Sequence, residues 1–108
     1  MKKAFAFAAV VMATSLALAA ASAKPIAHTA IVVVDKLAFG AIPSNLRVGD
    51  SIVWSNRDVF RHSATAMGHF DVDLPPGGRR RMLLTRIGVF PFTCRYHPGM
   101  KGVLKVSR

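Results

Sequence analysis

Short β-type segments separated by turn residues fill the chain from Ile26 onward, and this pattern constrains the fold more than any other feature. The run Ile31–Val34 is apolar throughout and suits a buried strand. Apolar residues at i, i+3 and i+4 never persist for three helical turns in this region. A small β-sandwich or barrel is therefore predicted, with Trp54, Phe90 and Phe92 in its core. The predicted strands lie within residues 26–40, 46–48, 52–54, 62–68, 80–85, 88–94 and 102–107.

The first 23 residues have the pattern of a secretory signal peptide. Lys2 and Lys3 precede the apolar, alanine-rich segment 4–20, and Ala21–Ala23 (ASA) offers a cleavage site. A retained membrane anchor is the alternative, because about 20 apolar residues are enough to span a bilayer. We expect cleavage after residue 23, a periplasmic location, and a mature chain, 24–108, that forms a single domain and does not span the membrane.

Basic residues outnumber acidic ones in the predicted mature chain by 13 to 5, which gives a formal charge of +8 once the two leader lysines are removed. Such a balance favours an acidic partner, an anionic surface or simply solubility. A nucleic-acid partner is disfavoured, because the leader exports the chain and aromatic residues do not interleave with the basic ones. The triplet Arg79–Arg81 is expected on a solvated edge strand, where charges prevent unwanted strand pairing.

The only cysteine lies in a stretch that carries two further potential metal ligands. Cys94, His97 and Met100 have the spacing C-x2-H-x2-M. A single cysteine forms no intramolecular disulfide, so a lone thiol in an exported protein is consistent with a metal-bound thiolate. Thiolate, imidazole and thioether belong to the donor set of blue-copper electron-transfer sites. Zinc fits less well because a thioether is a poor zinc ligand, and a Cys–His nucleophile would leave Met100 without a role.

A blue-copper site needs a second imidazole, and three other histidines are available. His62 follows the predicted strand that contains Trp54, and at one end of a sandwich it could meet the loop 94–100. His28 is expected within a strand and His69 in a solvated turn. His62 is therefore the best candidate for the second imidazole.

Three stretches of the chain resemble the small cupredoxins of the amicyanin, pseudoazurin and plastocyanin group. They are VGDSIVWSNRDVFRHS (48–63), FDVDLPPGG (70–78) and GVFPFTCRYHPGMKGVLKV (88–106). The spacing of the ligand loop resembles that of amicyanin. The resemblance implies a cupredoxin-like Greek-key sandwich or barrel of about seven to eight strands. It also implies one type 1 copper ion per chain, bound by His62, Cys94, His97 and Met100.

The resemblance also implies contacts around the metal. Asn56 would tie the first ligand loop to the Cys94 loop by hydrogen bonds, and the N–H of Ser63 would point at the Cys94 sulfur. Two residues depart from the family pattern. Ser63 stands where the family usually has Asn or Thr, and Tyr96 stands where amicyanins and plastocyanins have Pro.

The function implied by the resemblance is electron transfer without catalysis. The protein would cycle between Cu(I) and Cu(II), with His97 as the exit for the electron. Its partner would be a redox protein with an acidic docking face, such as a cytochrome c, a dehydrogenase or an oxidase, and the carrier itself would be a monomer. Two alternatives stay open, namely a periplasmic copper carrier or buffer on the same fold and a metal-free structural β-domain.

Overall fold

The computed structural model describes residues 3–6, 8–15 and 26–108. Residues 3–6 and 8–15 are exposed and belong to no helix or strand. The predicted cleavage point after Ala23 lies outside the described residues, so the signal peptide and the start of the mature chain stay predictions. No helix in the described ranges is long and apolar enough to cross a membrane.

The described residues contain nine strands, more than the seven or eight predicted. The difference comes from β2, a two-residue strand that ends the first hairpin, and from β6, which the sequence pattern had not separated from the turn after it. The strands are β1 (Thr29–Asp35), β2 (Ala38–Phe39), β3 (Leu46–Arg47), β4 (Ser51–Asn56), β5 (His62–Ala66), β6 (Phe70–Leu74), β7 (Arg79–Leu83), β8 (Gly88–Thr93) and β9 (Lys101–Ser107).

These strands form two facing sheets, which confirms the predicted all-β sandwich. The first sheet has the order β2-β1-β4-β7 and the second the order β3-β9-β8-β5-β6. Both sheets are mixed, because β1 runs parallel to β4 and β3 runs parallel to β9, whereas the other pairs are antiparallel. The chain crosses between the sheets at most of its connections. The triplet Arg79–Arg81 begins the edge strand β7, as predicted.

Aromatic side chains from both sheets meet in the core. Trp54 is fully buried, and its ring packs edge-on against Phe92 and Phe39, with centroid distances of 5.3 and 6.0 Å. Phe92 is also buried, while Phe90 is only partly buried at the margin of the core. Across from Phe92 on β9 lies Gly102, where an added Cβ would come within 2.4 Å of the Phe92 ring. The core therefore requires glycine at this position.

Candidate metal centre

The sheet topology brings the first predicted ligand beside the cysteine loop. His62 begins β5, and Cys94 directly follows the end of β8. Strands β5 and β8 are neighbours in the second sheet and pair through Thr65 and Thr93. The start of β5 and the loop after β8 consequently lie at the same end of the sandwich. Both His62 and Cys94 are buried there, whereas His97 is only partly buried.

Three donor atoms form a compact triangle at this end. His62 Nδ1 and His97 Nδ1 are 3.1 Å apart, and each lies 3.8 Å from the Cys94 sulfur. A point equidistant from the three atoms lies about 2.1 Å from each of them, close to ordinary metal–nitrogen and metal–sulfur bond lengths. The three residues present therefore fit one metal ion.

The fourth predicted ligand closes the same loop. Met100 is buried, its N–H donates to the carbonyl of His97 at 2.9 Å, and its carbonyl accepts from the N–H of Cys94 at 3.0 Å. These two backbone bonds fasten both ends of the seven-residue stretch, so Cys94, His97 and Met100 are held in one turn. Axial ligation by Met100 stays a prediction.

An aspartate fixes the orientation of His62. Asp58 Oδ2 lies 3.0 Å from His62 Nε2 and also accepts the N–H of Leu37 at 2.9 Å. The Leu37 N–H first, and then the His62 imidazole, hold the pKa of Asp58 below its ordinary value. An ionised carboxylate only accepts hydrogen bonds, so it places a proton on Nε2 of the neutral imidazole. The lone pair on Nδ1 then faces Cys94 and His97, as metal binding requires.

A left-handed turn supplies the N–H of Leu37 that Asp58 accepts. Lys36 and Leu37 join β1 to β2 with φ angles of 52° and 58°, a conformation that is unfavourable for residues other than glycine. The N–H of Lys36 donates to Asp35 Oδ1, and the N–H of Leu37 donates to Asp58, each at 2.9 Å. The turn between β1 and β2 therefore contributes directly to the position of His62.

The prediction that Asn56 forms hydrogen bonds to the Cys94 loop was wrong. Asn56 Nδ2 donates to the carbonyls of Phe60, Leu74 and Pro75, and its Oδ1 accepts the N–H of Asp58. None of these groups belongs to the Cys94 loop. Asn56 instead joins the segment before His62 to the end of β6, because its side chain reaches the carbonyls that end that strand.

Ser63 makes the connection between the two ligand segments. Its N–H lies 3.4 Å from the Cys94 sulfur, as the resemblance implied, and its hydroxyl oxygen accepts the N–H of Arg95 at 2.9 Å. Although the family usually has Asn or Thr at this position, the serine side chain still forms a hydrogen bond to the residue after Cys94. Tyr96 is half-exposed, and the Arg95 guanidinium lies 5.6 Å from the centre of its ring.

The other histidines lie apart from this cluster. His28 is exposed and precedes β1 rather than lying within a strand, and His69 lies in the turn before β6, exposed as predicted. The ring of His69 packs edge-on against Phe90 at 4.9 Å. Within the described ranges, His62, Cys94 and His97 form the only group of at least three His, Cys, Asp or Glu residues placed to hold a metal ion.

Solved structures of amicyanin share this architecture. Amicyanin from Paracoccus versutus (Thiobacillus versutus) matches with a TM-score of 0.63 and 19% identity, over 73% of this chain and 81% of its own. The chain has the cupredoxin fold. An amicyanin variant in its Cu(I) form matches with a TM-score of 0.62 and 21% identity, over 73% of this chain and 82% of its own. The fold implied by the sequence resemblance is thereby confirmed.

No protein-family model matches the chain, and a search of curated proteins finds no match either. The similarity to amicyanin, at about one residue in five, establishes the fold. The chemistry of the site follows from its own residues.

Proposed function

We propose that this protein is a type 1 copper protein that carries single electrons between redox partners. The observation that supports it best is the triangle of two imidazole nitrogens and one cysteine sulfur, with sides of 3.1 and 3.8 Å. One thiolate and two imidazoles suit both Cu(I) and Cu(II). Amicyanin, whose fold this chain shares, has been solved in a Cu(I) form. The proposed ligands are His62, Cys94, His97 and Met100, for one copper ion per chain.

The two histidines have different environments, which suits different tasks. His62 is completely buried and held by Asp58, so it anchors the site from the protein side. His97 is partly exposed, and the ring of Phe60 packs edge-on against it at 5.9 Å. When bound, the copper supplies the change of oxidation state. Of the four proposed ligands only His97 is not buried, so its imidazole would carry the electron to a partner.

The charge of the surface supports an acidic partner. The half-exposed Asp71 and Asp73 are each paired with an arginine, Arg95 and Arg61 respectively. The excess of basic groups therefore remains available to steer an acidic redox protein, such as a cytochrome c, a dehydrogenase or an oxidase. The proposal includes export by the signal peptide 1–23 to the periplasm, a monomeric mature domain, 24–108, and no catalytic activity of its own.

Metal analysis of the protein purified from its native compartment tests the proposal. We expect one copper per chain, an intense blue Cu(II) form that is reversibly reduced, and rapid electron self-exchange. A Cys94→Ala variant should lose the blue colour, whereas a His69→Ala variant should keep it. Copper passed irreversibly to a metal-free acceptor, without rapid self-exchange, would instead establish the copper carrier. Absence of copper from the purified protein would contradict both.

A further inference from the structure

A chain of hydroxyl groups links the cysteine loop to a surface carboxylate. The N–H of Arg95 donates to Ser63 Oγ at 2.9 Å, and Ser63 Oγ lies 2.9 Å from Thr65 Oγ1. Thr65 Oγ1 lies 2.8 Å from Asp71 Oδ1. Ser63 and Thr65 are buried, whereas the Asp71 side chain is 52% exposed. This chain of hydroxyl groups, called the hydroxyl chain below, therefore runs from beside Cys94, under the surface, to the outer edge of the second sheet.

The direction of every hydrogen bond in this chain follows from its last member. A carboxylate oxygen accepts hydrogen bonds, so Thr65 donates its single hydroxyl proton to Asp71 Oδ1. Thr65 Oγ1 must then accept a hydrogen bond from Ser63, so the hydroxyl proton of Ser63 is donated to Thr65. The Ser63 oxygen is left to accept the N–H of Arg95. Hydrogen bonds aligned in one direction polarise one another, so the carboxylate strengthens the bond at the far end.

The same serine controls the surroundings of the thiol. Ser63 donates its N–H to the Cys94 sulfur at 3.4 Å while its side chain holds the residue after Cys94. Any movement of Ser63 consequently changes both the donor on the sulfur and the path of the ligand loop. The chain of hydroxyl groups fixes Ser63 against β6, through the cross-strand pair of Thr65 and Asp71.

We propose that Asp71 is a positioning residue for the Cys94 thiolate, acting through the hydroxyls of Thr65 and Ser63. Asp71 also forms an ion pair with the Arg95 guanidinium at 3.3 Å, so the two residues are linked both through the hydroxyl chain and directly at the surface. Both of those side chains are about half-exposed, and such pairs contribute little by themselves. The buried hydroxyl chain is the part that transmits the effect.

Asp73 offers a matched control on the same strand. It lies opposite Ser63 across the β5–β6 pair, is 46% exposed and pairs with Arg61 at 3.6 Å. Replacing Asp73 by Asn removes the same charge and a similar ion pair. In the described residues, however, no hydrogen bond links its side chain to the hydroxyl chain. A difference between Asp71→Asn and Asp73→Asn therefore reports the contacts of Asp71 rather than net charge. Thr65→Val keeps the Asp71–Arg95 ion pair, so its effect assigns the difference to the hydroxyl chain.

Amide hydrogen exchange of Arg95 in the metal-free full chain tests the proposal without copper. We expect exchange about three- to ten-fold faster in Asp71→Asn and in Thr65→Val, which corresponds to one weakened hydrogen bond. Thr65→Ser keeps the hydroxyl and should restore the wild-type rate, and Asp73→Asn should leave it unchanged. Equal rates in Asp71→Asn and Asp73→Asn, or a wild-type rate in Thr65→Val, would overturn the proposal.

A second readout uses the copper-loaded protein and rests on the proposed function. The visible thiolate-to-Cu(II) band and the reduction potential should shift further in Asp71→Asn than in Asp73→Asn, and Thr65→Val should follow Asp71→Asn. Equal shifts in the two aspartate variants would overturn the link to the thiolate. If the wild-type protein bound no copper, the proposed function would fail, while the exchange result would still decide whether Asp71 positions the loop.

Discussion

Asp58 and His62 form a carboxylate–imidazole pair, with 3.0 Å between Oδ2 and Nε2, at the ring nitrogen that does not face Cys94. Because the carboxylate also accepts the N–H of Leu37, it is fixed independently of the histidine. The pair determines which nitrogen of His62 is available to a metal. The selection of the tautomer is therefore built into the fold before any metal binds.

Asp58→Ala should weaken copper binding by about 10- to 100-fold, the usual effect of losing a carboxylate that orients a ligating histidine. The reason is that His62 loses both the group that fixes its tautomer and the group that holds its ring. Competition with a copper chelator of known affinity measures the change. Asp73→Ala removes an equal charge outside the site and should keep the affinity near the wild-type value. Equal losses in both variants would mean that charge alone matters.

Asn56→Ala should destabilise the metal-free protein by about 2–4 kcal/mol, because it leaves one buried carbonyl, two partly buried carbonyls and the N–H of Asp58 without their partner. Asn56 is 1% exposed, so water cannot readily replace its four hydrogen bonds. Denaturant unfolding of the metal-free chain measures this change in the free energy of unfolding. Asn45 is exposed in a loop, and Asn45→Ala should change the free energy of unfolding by less than about 0.5 kcal/mol. A similar small change in Asn56→Ala would show that the network does not support the fold.

The sequence predicts that three donor residues meet, and the structure brings them together, because their placement is local or follows from topology. Cys94, His97 and Met100 lie within one short loop, so their spacing alone indicates a metal site. His62 is remote in sequence, yet antiparallel pairing of its strand with the strand before Cys94 brings the two together. The structure brings His62, Cys94 and His97 together in one triangle of donor atoms, and ligation by Met100 stays a prediction.

The supporting roles of Asp58, Thr65 and Asp71 could not be predicted, because they depend on register and turn geometry. Thr65 meets Asp71 only because β5 and β6 pair in one particular register. Strand β6 itself was missed, although Phe70, Val72 and Leu74 alternate with aspartates in the manner of a half-buried strand. The position of Asp58 depends on the left-handed turn at Leu37, and nothing in the sequence indicates that turn.

Gly102→Ala should destabilise the fold by about 1–3 kcal/mol, the usual cost of overpacking a core. The added Cβ would lie 2.4 Å from the Phe92 ring, which is buried and packed against Trp54, so the ring has little room to move. Thermal or denaturant unfolding of the metal-free protein measures this cost. Gly99 has no atom within 4 Å of an added Cβ, and Gly99→Ala should leave the stability close to wild type. Equal stability of the two variants would contradict the close approach.

Asp50 is a buried carboxylate remote from the metal centre, and it joins the chain before β1 to the turn between β3 and β4. Its two oxygens accept the N–H groups of His28 and Arg47, each at 2.9 Å. The His28 N–H first, and then the Arg47 N–H, lower the pKa of Asp50 from its ordinary value of 3.8. The ionised form therefore stabilises the folded chain above that pH, and this contribution is lost as the pH falls through the lower folded-state pKa.

Asp50→Asn should consequently lower the free energy of unfolding at neutral pH, and its difference from the wild type should shrink as the pH falls below about 4. The loss has this sign because the asparagine cannot gain stability from ionisation, whereas the wild type gives up that gain only in acid. Denaturant unfolding of the metal-free protein across this range measures both curves. Asp73→Asn, an equal charge change on a half-exposed carboxylate, serves as the control and should stay closer to the wild type at neutral pH. A constant difference between Asp50→Asn and wild type at every pH would show that the two backbone hydrogen bonds do not depend on the charge.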